Sequence, residues 1–496
     1  MRVTLDDGDL EGFEADGVAQ FRGIPFAAPP LGERRFLPPQ PVERWTGVRD
    51  ATEWGPRAPQ SNEATPFRRM LDIPFGEDCL SLNVFTPALR SGTEPGLAGT
   101  EPGPAHQAVM VWIHGGAFNI GSGALFDAAE LARRGNVVVV TVNYRLGALG
   151  FSYLDHLDER FAGSGNVALL DQIAALRWVR DNIAAFGGDP ANVTIFGESA
   201  GGHSVGCLLT VPEARGLFHR AIAQSGAGFN LREVDQALAQ TTALMDQLGV
   251  TSVEELQAVP VERLVDAQAA FSYAPVQDGI VLADHVIDAV AVGHSADVPL
   301  LISHTRDEMR LFAANGRGLG PLPASDDELA DRFDQAFADG AGALAAYRAA
   351  EPDASPEDIW LSYLTDTTFH MPDFGLAEAR LIRSPLVWMA RFSWPATALD
   401  GRLGACHAIE IPFLFMGGGN LGDMTPEAGP PEHLAHAIQD AWVAFARNGD
   451  PNTSALPEWP RYETTRRLVM ELDDECRVIA DPDGDIRRLW PVTATV

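Results

Sequence analysis

The chain has 496 residues, 46% hydrophobic and 21% charged, proportions that allow a large packed core and argue against bulk disorder. It carries 36 Lys and Arg against 68 Asp and Glu, a formal net charge of −32, and none of its cations is a lysine. A surface this acidic repels phosphate backbones and anionic membranes, so neither nucleic acid nor a membrane is an expected partner.

The opening, from Met1 to Gly12, lacks the basic start and apolar stretch of a secretory leader. The longest apolar run, 137–142, is far shorter than the roughly 20 residues that span a bilayer. Four scattered cysteines, Cys79, Cys207, Cys406 and Cys476, form neither a CxxC pair nor a metal-ligand spacing. The simplest expectation is a reduced, cytoplasmic protein without disulfide, metal or cofactor, a monomer or a weak homo-oligomer.

Along the chain, 91–107 is rich in Gly, Pro, Thr and Glu and reads as an exposed loop. Short β-branched runs at 109–114, 137–143, 193–197, 298–303 and 386–392 read as strands. They are apolar on both faces, as buried parallel strands are. Helical patterns occupy 169–186 and 200–209, and another at 435–447 is stopped by Asn448, Gly449 and Pro451. The alternation predicts an α/β protein with a central, mostly parallel sheet flanked by helices. Amphipathic helical blocks at 231–268 and 326–350 interrupt the strands, as insertions of roughly 231–270 and 320–380 able to cap a site. With no repeat and no clean linker, one domain over 1–496 is expected.

The chemistry begins at Gly197-Glu198-Ser199-Ala200-Gly201, a G-x-S-x-G run between an apolar strand and a helix-forming segment. A sharp turn there lifts the serine hydroxyl clear of a sheet, and only small neighbours let strand and helix approach so closely. Ser199 is the candidate nucleophile, at a helix start whose dipole favours developing negative charge. Upstream, His114-Gly115-Gly116-Ala117-Phe118 follows directly on a strand. The glycines leave their amides open to an incoming carbonyl oxygen, and the amide of Ala200 completes an oxyanion hole. A base should follow a late strand: of 12 histidines, His407 fits best, with His304 and His370 less clearly excluded. For the acid, Asp307 and Glu308 follow the strand at 298–303. Spacing alone does not separate them, and either is also an ordinary loop charge beside Arg306 or Arg310.

These motifs, with several others, resemble the type-B carboxylesterase family, which includes the cholinesterases and the bacterial para-nitrobenzyl esterases. The others are Phe21-Arg22-Gly23-Ile24-Pro25-Phe26, Glu77-Asp78-Cys79-Leu80-Ser81-Leu82-Asn83, Asn143-Tyr144-Arg145-Leu146-Gly147, Gln439-Asp440-Ala441-Trp442 and Trp459-Pro460. The resemblance covers nearly the whole length. It implies an α/β-hydrolase fold and hydrolysis of small-molecule esters by a triad of Ser199, Glu308 and His407, with Gly115, Gly116 and Ala200 as oxyanion donors. It also implies that Ser225 supports the triad network, with Glu198 beside the nucleophile. Phe118, Tyr273, Leu311 and Phe312 are candidate pocket walls, each equally able to be core.

There are departures from the family pattern. Met309 stands where the family has glycine after the acid, and is expected to redirect the loop or fill part of the gorge. Ala58 occupies the position of the cysteine that would pair with Cys79. No Trp lies between Gln60 and Glu77, which disfavours a cholinesterase. The rival readings are an amidase, carbamate or lactone hydrolase with the same triad, and a non-catalytic binding protein.

Overall fold

A computed structural model describes all residues except 62–72, 88, 90–105, 317–318, 417–423, 427–428 and 491–496. Most of the loop expected at 91–107 therefore lies outside the described residues. In chain order the strands are β1 (Arg2–Leu5), β2 (Gly8–Glu11), β3 (Phe13–Ala15), β4 (Val18–Pro25), β5 (Val48–Asp50), β6 (Ser81–Thr86), β7 (Gln107–Ile113) and β8 (Val138–Val142). They continue as β9 (Gly188–Glu198), β10 (Arg220–Gln224), β11 (Arg232–Glu233), β12 (Val276–Gln277), β13 (Leu300–Thr305), β14 (Val387–Phe392), β15 (Leu468–Leu472) and β16 (Arg477–Ala480).

Eleven of them form one sheet in the order β16-β15-β14-β13-β10-β9-β7-β8-β6-β4-β3. The block from β8 through β7, β9, β10, β13 and β14 to β15 is parallel. Antiparallel strands finish both edges. All five strands expected from the sequence lie in the parallel block. Their apolar side chains alternate between two cores, one on each face of the sheet. In β7, Val109, Val111 and Ile113 enter one core. Ala108, Met110 and Trp112 enter the other, where Phe126, Phe196 and Phe415 surround the indole at 4.9–5.1 Å.

The expected helices are present. Val167–Asn182 runs on as a 3₁₀ turn to Phe186 and is closed by Gly187 in the left-handed conformation. Ala200–Thr210 leaves the end of β9, and Glu432–Asn448 ends at Gly449. The first inserted block carries helices Val234–Leu248, Val253–Gln257 and Val261–Gln268 between β10 and β13. The second, between β13 and β14, carries Asp326–Ala336, Gly340–Ala350 and Pro356–Thr365, then a π-turn at Asp366–His370 that leads into Met371–Leu381. All four cysteines are free. Among the described residues no helix is long and apolar enough to cross a membrane.

A buried ion pair ties the N-terminal region to the helix under the sheet. Arg145 grips both carboxylate oxygens of Asp171 at 2.7 and 2.8 Å and also reaches the carbonyl of Leu37. The guanidinium fork satisfies the buried carboxylate in a way that an ammonium cannot reproduce.

Candidate active site

β9 delivers Ser199 at the carboxyl edge of the sheet, with φ 57° and ψ −123°. The turn is held by the Ser199 amide donating to Gln224 O at 2.9 Å and by the Ser199 carbonyl accepting from His203 N at 2.9 Å. Its tightness depends on Gly201, where a Cβ would fall 2.0 Å from the carbonyl oxygen of Ile113. The helix start is thus packed backbone-to-backbone on the end of β7.

The loop after β7 folds over this elbow. A Cβ on Gly115 would sit 3.0 Å from Ser199 Cβ and 2.7 Å from Glu198 O, and Gly116 has φ 114°. Among the described residues no hydrogen bond occupies the amides of Gly115, Gly116 or Ala200. They remain free to meet an oxygen at the elbow. Ala117, Phe118, Ser199, Ser225 and Ala408 all have positive φ. Strained backbone of this kind concentrates where a structure holds a working geometry.

Glu308 and His407 meet across 99 residues of sequence. His407 Nδ1 lies 2.6 Å from Glu308 Oε2. The other Glu308 oxygen accepts from Ser225 Oγ at 2.7 Å and from the Thr305 amide at 2.8 Å. Burial would raise the pKa of Glu308, but the His407 charge and these donors outweigh it and hold the carboxylate below its ordinary range. Asp307 has the other fate. It pairs with Arg306 at 2.9 Å and accepts from the Ala405 amide at 2.8 Å. Burial thus separates two neighbours that spacing left equivalent.

The far nitrogen of His407, Nε2, faces the elbow and lies 3.1 Å from Glu198 Oε1, an ion contact outside hydrogen-bond angles. Burial lowers the pKa of His407, and Glu198, Glu308 and Glu410 overcome it, raising the imidazole to about 9. Burial in turn pushes Glu198 up, and His407 partly restrains it. Glu410 is raised by burial and by the charge of Glu308, and it accepts from Gln224 at 3.1 Å. The sequence reading passed over Glu410, although its place three residues after His407, on the turn that follows, was the available signal.

Among the expected pocket walls, Phe312 is brought to the site, its ring 5.1 Å from that of His407. Phe118 packs on Phe151 and on His203 of the elbow helix. Two other candidates lie with the core. Tyr273 is buried in the large core near Arg232, with no contact to the triad residues among those described. Leu311 is partly buried and packs against the core cluster on the other face of the sheet. Phe369, which the sequence did not single out, has its ring 5.0 Å from that of His407.

Met309 opens the helix Met309–Ala314 without a positive φ, so its backbone needs no glycine, and its side chain packs in one cluster with Leu361 and Phe369. The second inserted block therefore borders the site. The first packs into the large core, and no described contact joins it to the triad residues.

A family model described as the carboxylesterase family matches residues 1–484. The chain belongs to the carboxylesterase family. Similar curated proteins include a para-nitrobenzyl esterase of Bacillus subtilis, 38% identical over 99% of this chain and 98% of that protein. A phenmedipham hydrolase of Pseudarthrobacter oxydans is 37% identical over 96% of each chain. Among solved structures, a PNB esterase superposes with TM-score 0.84 at 36% identity, covering 99% of both chains. A Geobacillus stearothermophilus carboxylesterase gives 0.82 at 37%, covering 99% of this chain and all of that one. The carboxylesterase is thus a carboxylic ester hydrolase with the α/β-hydrolase fold.

Proposed function

We propose that the carboxylesterase hydrolyses small to medium uncharged esters through an acyl-enzyme on Ser199. His407 takes the Ser199 proton as Oγ attacks the ester carbonyl. The carbonyl π electrons move onto oxygen, and the amides of Gly115, Gly116 and Ala200 hold that oxyanion. The tetrahedral intermediate collapses, the bond to the alcohol oxygen breaks, and His407 returns the proton to the departing alcohol. Water then repeats the cycle on the acyl-enzyme and frees the acid. Glu308 stays ionised throughout and orients the ring.

The observation that carries this reading is the 2.6 Å bond from His407 to a buried Glu308, with the other ring nitrogen beside residue 198 of the elbow. The preference for uncharged esters rests on apolar walls at Phe118, Phe312 and Phe369 and on the buried, ionised Glu308 beside the base. An anionic substrate would meet like charge in a low-dielectric site. Cytoplasmic residence and a single domain over 1–496 belong to the same reading.

A fluorophosphonate is expected to add one phosphonyl group per chain, mapped by peptide mass spectrometry to Ser199. Label on another residue, with full inhibition, would move the nucleophile elsewhere.

Glu198→Gln gives a second expected result. The base acts only when neutral, so a raised His407 pKa places the acid limb of kcat/KM at high pH. Removing the Glu198 charge removes part of that rise. The limb should move to lower pH by roughly one unit, read from pH–rate profiles with p-nitrophenyl acetate. An unmoved limb would mean that Glu198 exerts no field on the base.

A further inference from the structure

Behind Glu308 lies a second set of buried ionisable groups that the proposed reaction does not use. His370 closes the π-turn Asp366–His370, and single π-turns inside helices often accompany functional sites. Its Nδ1 lies 2.9 Å from Asp366 Oδ1, and its Nε2 lies 2.8 Å from the carbonyl oxygen of Thr305. A carboxylate and a carbonyl both accept, so both ring nitrogens must donate, and the ring is an imidazolium. The hydroxyl of Tyr347 donates to the other Asp366 oxygen at 2.7 Å and holds the counter-ion in place.

Thr305 is thereby gripped at both ends. Its carbonyl is held by His370, and its amide donates to Glu308 Oε1, the oxygen that His407 does not use. Other charged or titratable groups surround this ring. His304, the penultimate residue of β13, lies tilted against it at 4.3 Å and faces Asp373 Oδ2 at 3.6 Å. Asp373 takes the Ala227 amide through its other oxygen at 3.0 Å. Asp483 adds to the field that favours the cation, and Arg391 acts on His304.

We propose that His370 is a positioning residue for ester hydrolysis: through Thr305 it fixes Glu308, and through Glu308 it fixes the ring of His407. The inference rests on the triad reading above. A ring that merely fills core would leave kcat per folded site unchanged when replaced by one of equal volume. The raised pKa of His370, to about 9, where the Asp366 hydrogen bond overcomes the effect of burial, agrees with the cation that the geometry requires.

The test compares His370→Phe, which keeps the ring and removes both donors, with His370→Gln, which keeps an amide donor, and Asp366→Asn. Turnover of p-nitrophenyl butyrate is measured well below each variant's melting temperature and divided by sites titrated with the fluorophosphonate. His370→Phe should lose about tenfold or more in kcat with KM within twofold of the parent. His370→Gln should regain part of the loss, and Asp366→Asn should show a smaller one. A His370→Phe enzyme with parental kcat overturns the proposal. If that variant does not fold, parental kcat in both His370→Gln and Asp366→Asn overturns it. Ser199→Ala is run alongside: retained turnover there defeats the triad reading, whereas a dead Ser199→Ala with an indifferent His370→Phe defeats only the role of His370.

Discussion

Ser199→Ala should fold as the parent does and lose at least about 10⁴-fold in kcat toward p-nitrophenyl esters, some 5.4 kcal/mol of transition-state stabilisation. The substitution removes one oxygen and nothing that the fold uses. The elbow strain at φ 57° is a property of any residue with a Cβ, and alanine neither adds to it nor relieves it. The Ser199 amide and carbonyl, which bind Gln224 and His203, are kept. The melting temperature should therefore stay within a few degrees of the parent. What remains of the rate comes from the oxyanion amides and from binding, which still act on an attacking water. Undiminished turnover in the purified variant would remove Ser199 from the chemistry altogether.

Gly201→Ala is expected to act on the fold and, through it, on activity. A Cβ there would lie 2.0 Å from the carbonyl oxygen of Ile113 and 3.0 Å from that of His114. Both are backbone atoms at the end of a central strand, so no side chain can swing aside. The helix Ala200–Thr210 must lift off β7, taking the elbow and the amide of Ala200 with it. Overpacking of this kind costs about 3 kcal/mol or more, read as a lowered urea midpoint, and esterase activity should fall with it. Gly320→Ala is the matched control, since a Cβ there meets nothing within 4 Å. A Gly201→Ala protein with the parental midpoint would show that strand and helix are not pressed together here.

The parallel half of the fold was legible because its strands are apolar on both faces. The five runs read from sequence are β7, β8, β9, β13 and β14, each within a few residues. The antiparallel edge was not legible. Strands such as Phe13–Ala15 are three residues long and carry no repeating pattern to detect. At the site, local motifs gave the elbow and the glycine loop, since their chemistry requires neighbours in sequence. The contacts between Glu198 and His407, between His370 and Thr305, and between Phe369 and the base join residues 38 to 209 positions apart, and no periodicity announces such meetings. Tyr273 was open to two readings for the same reason, because an aromatic between helices reads alike whether it lines a pocket or fills a core. Asp307 and Glu308 were separable only by direction: one turns out to Arg306, the other in to His407.

The two phenylalanines over His407 bind the choice of substrate to the rate of turnover. In the proposed reaction, Phe312 and Phe369 are the side chains to trim for bulkier acyl or alcohol groups. They also lie tilted against the imidazole at 5.1 and 5.0 Å and brace the ring whose Nδ1 Glu308 holds. Every gain in room at these positions loosens the proton carrier. Broadened scope in this enzyme is best sought at walls that the base does not lean on, with Phe118 as the first choice.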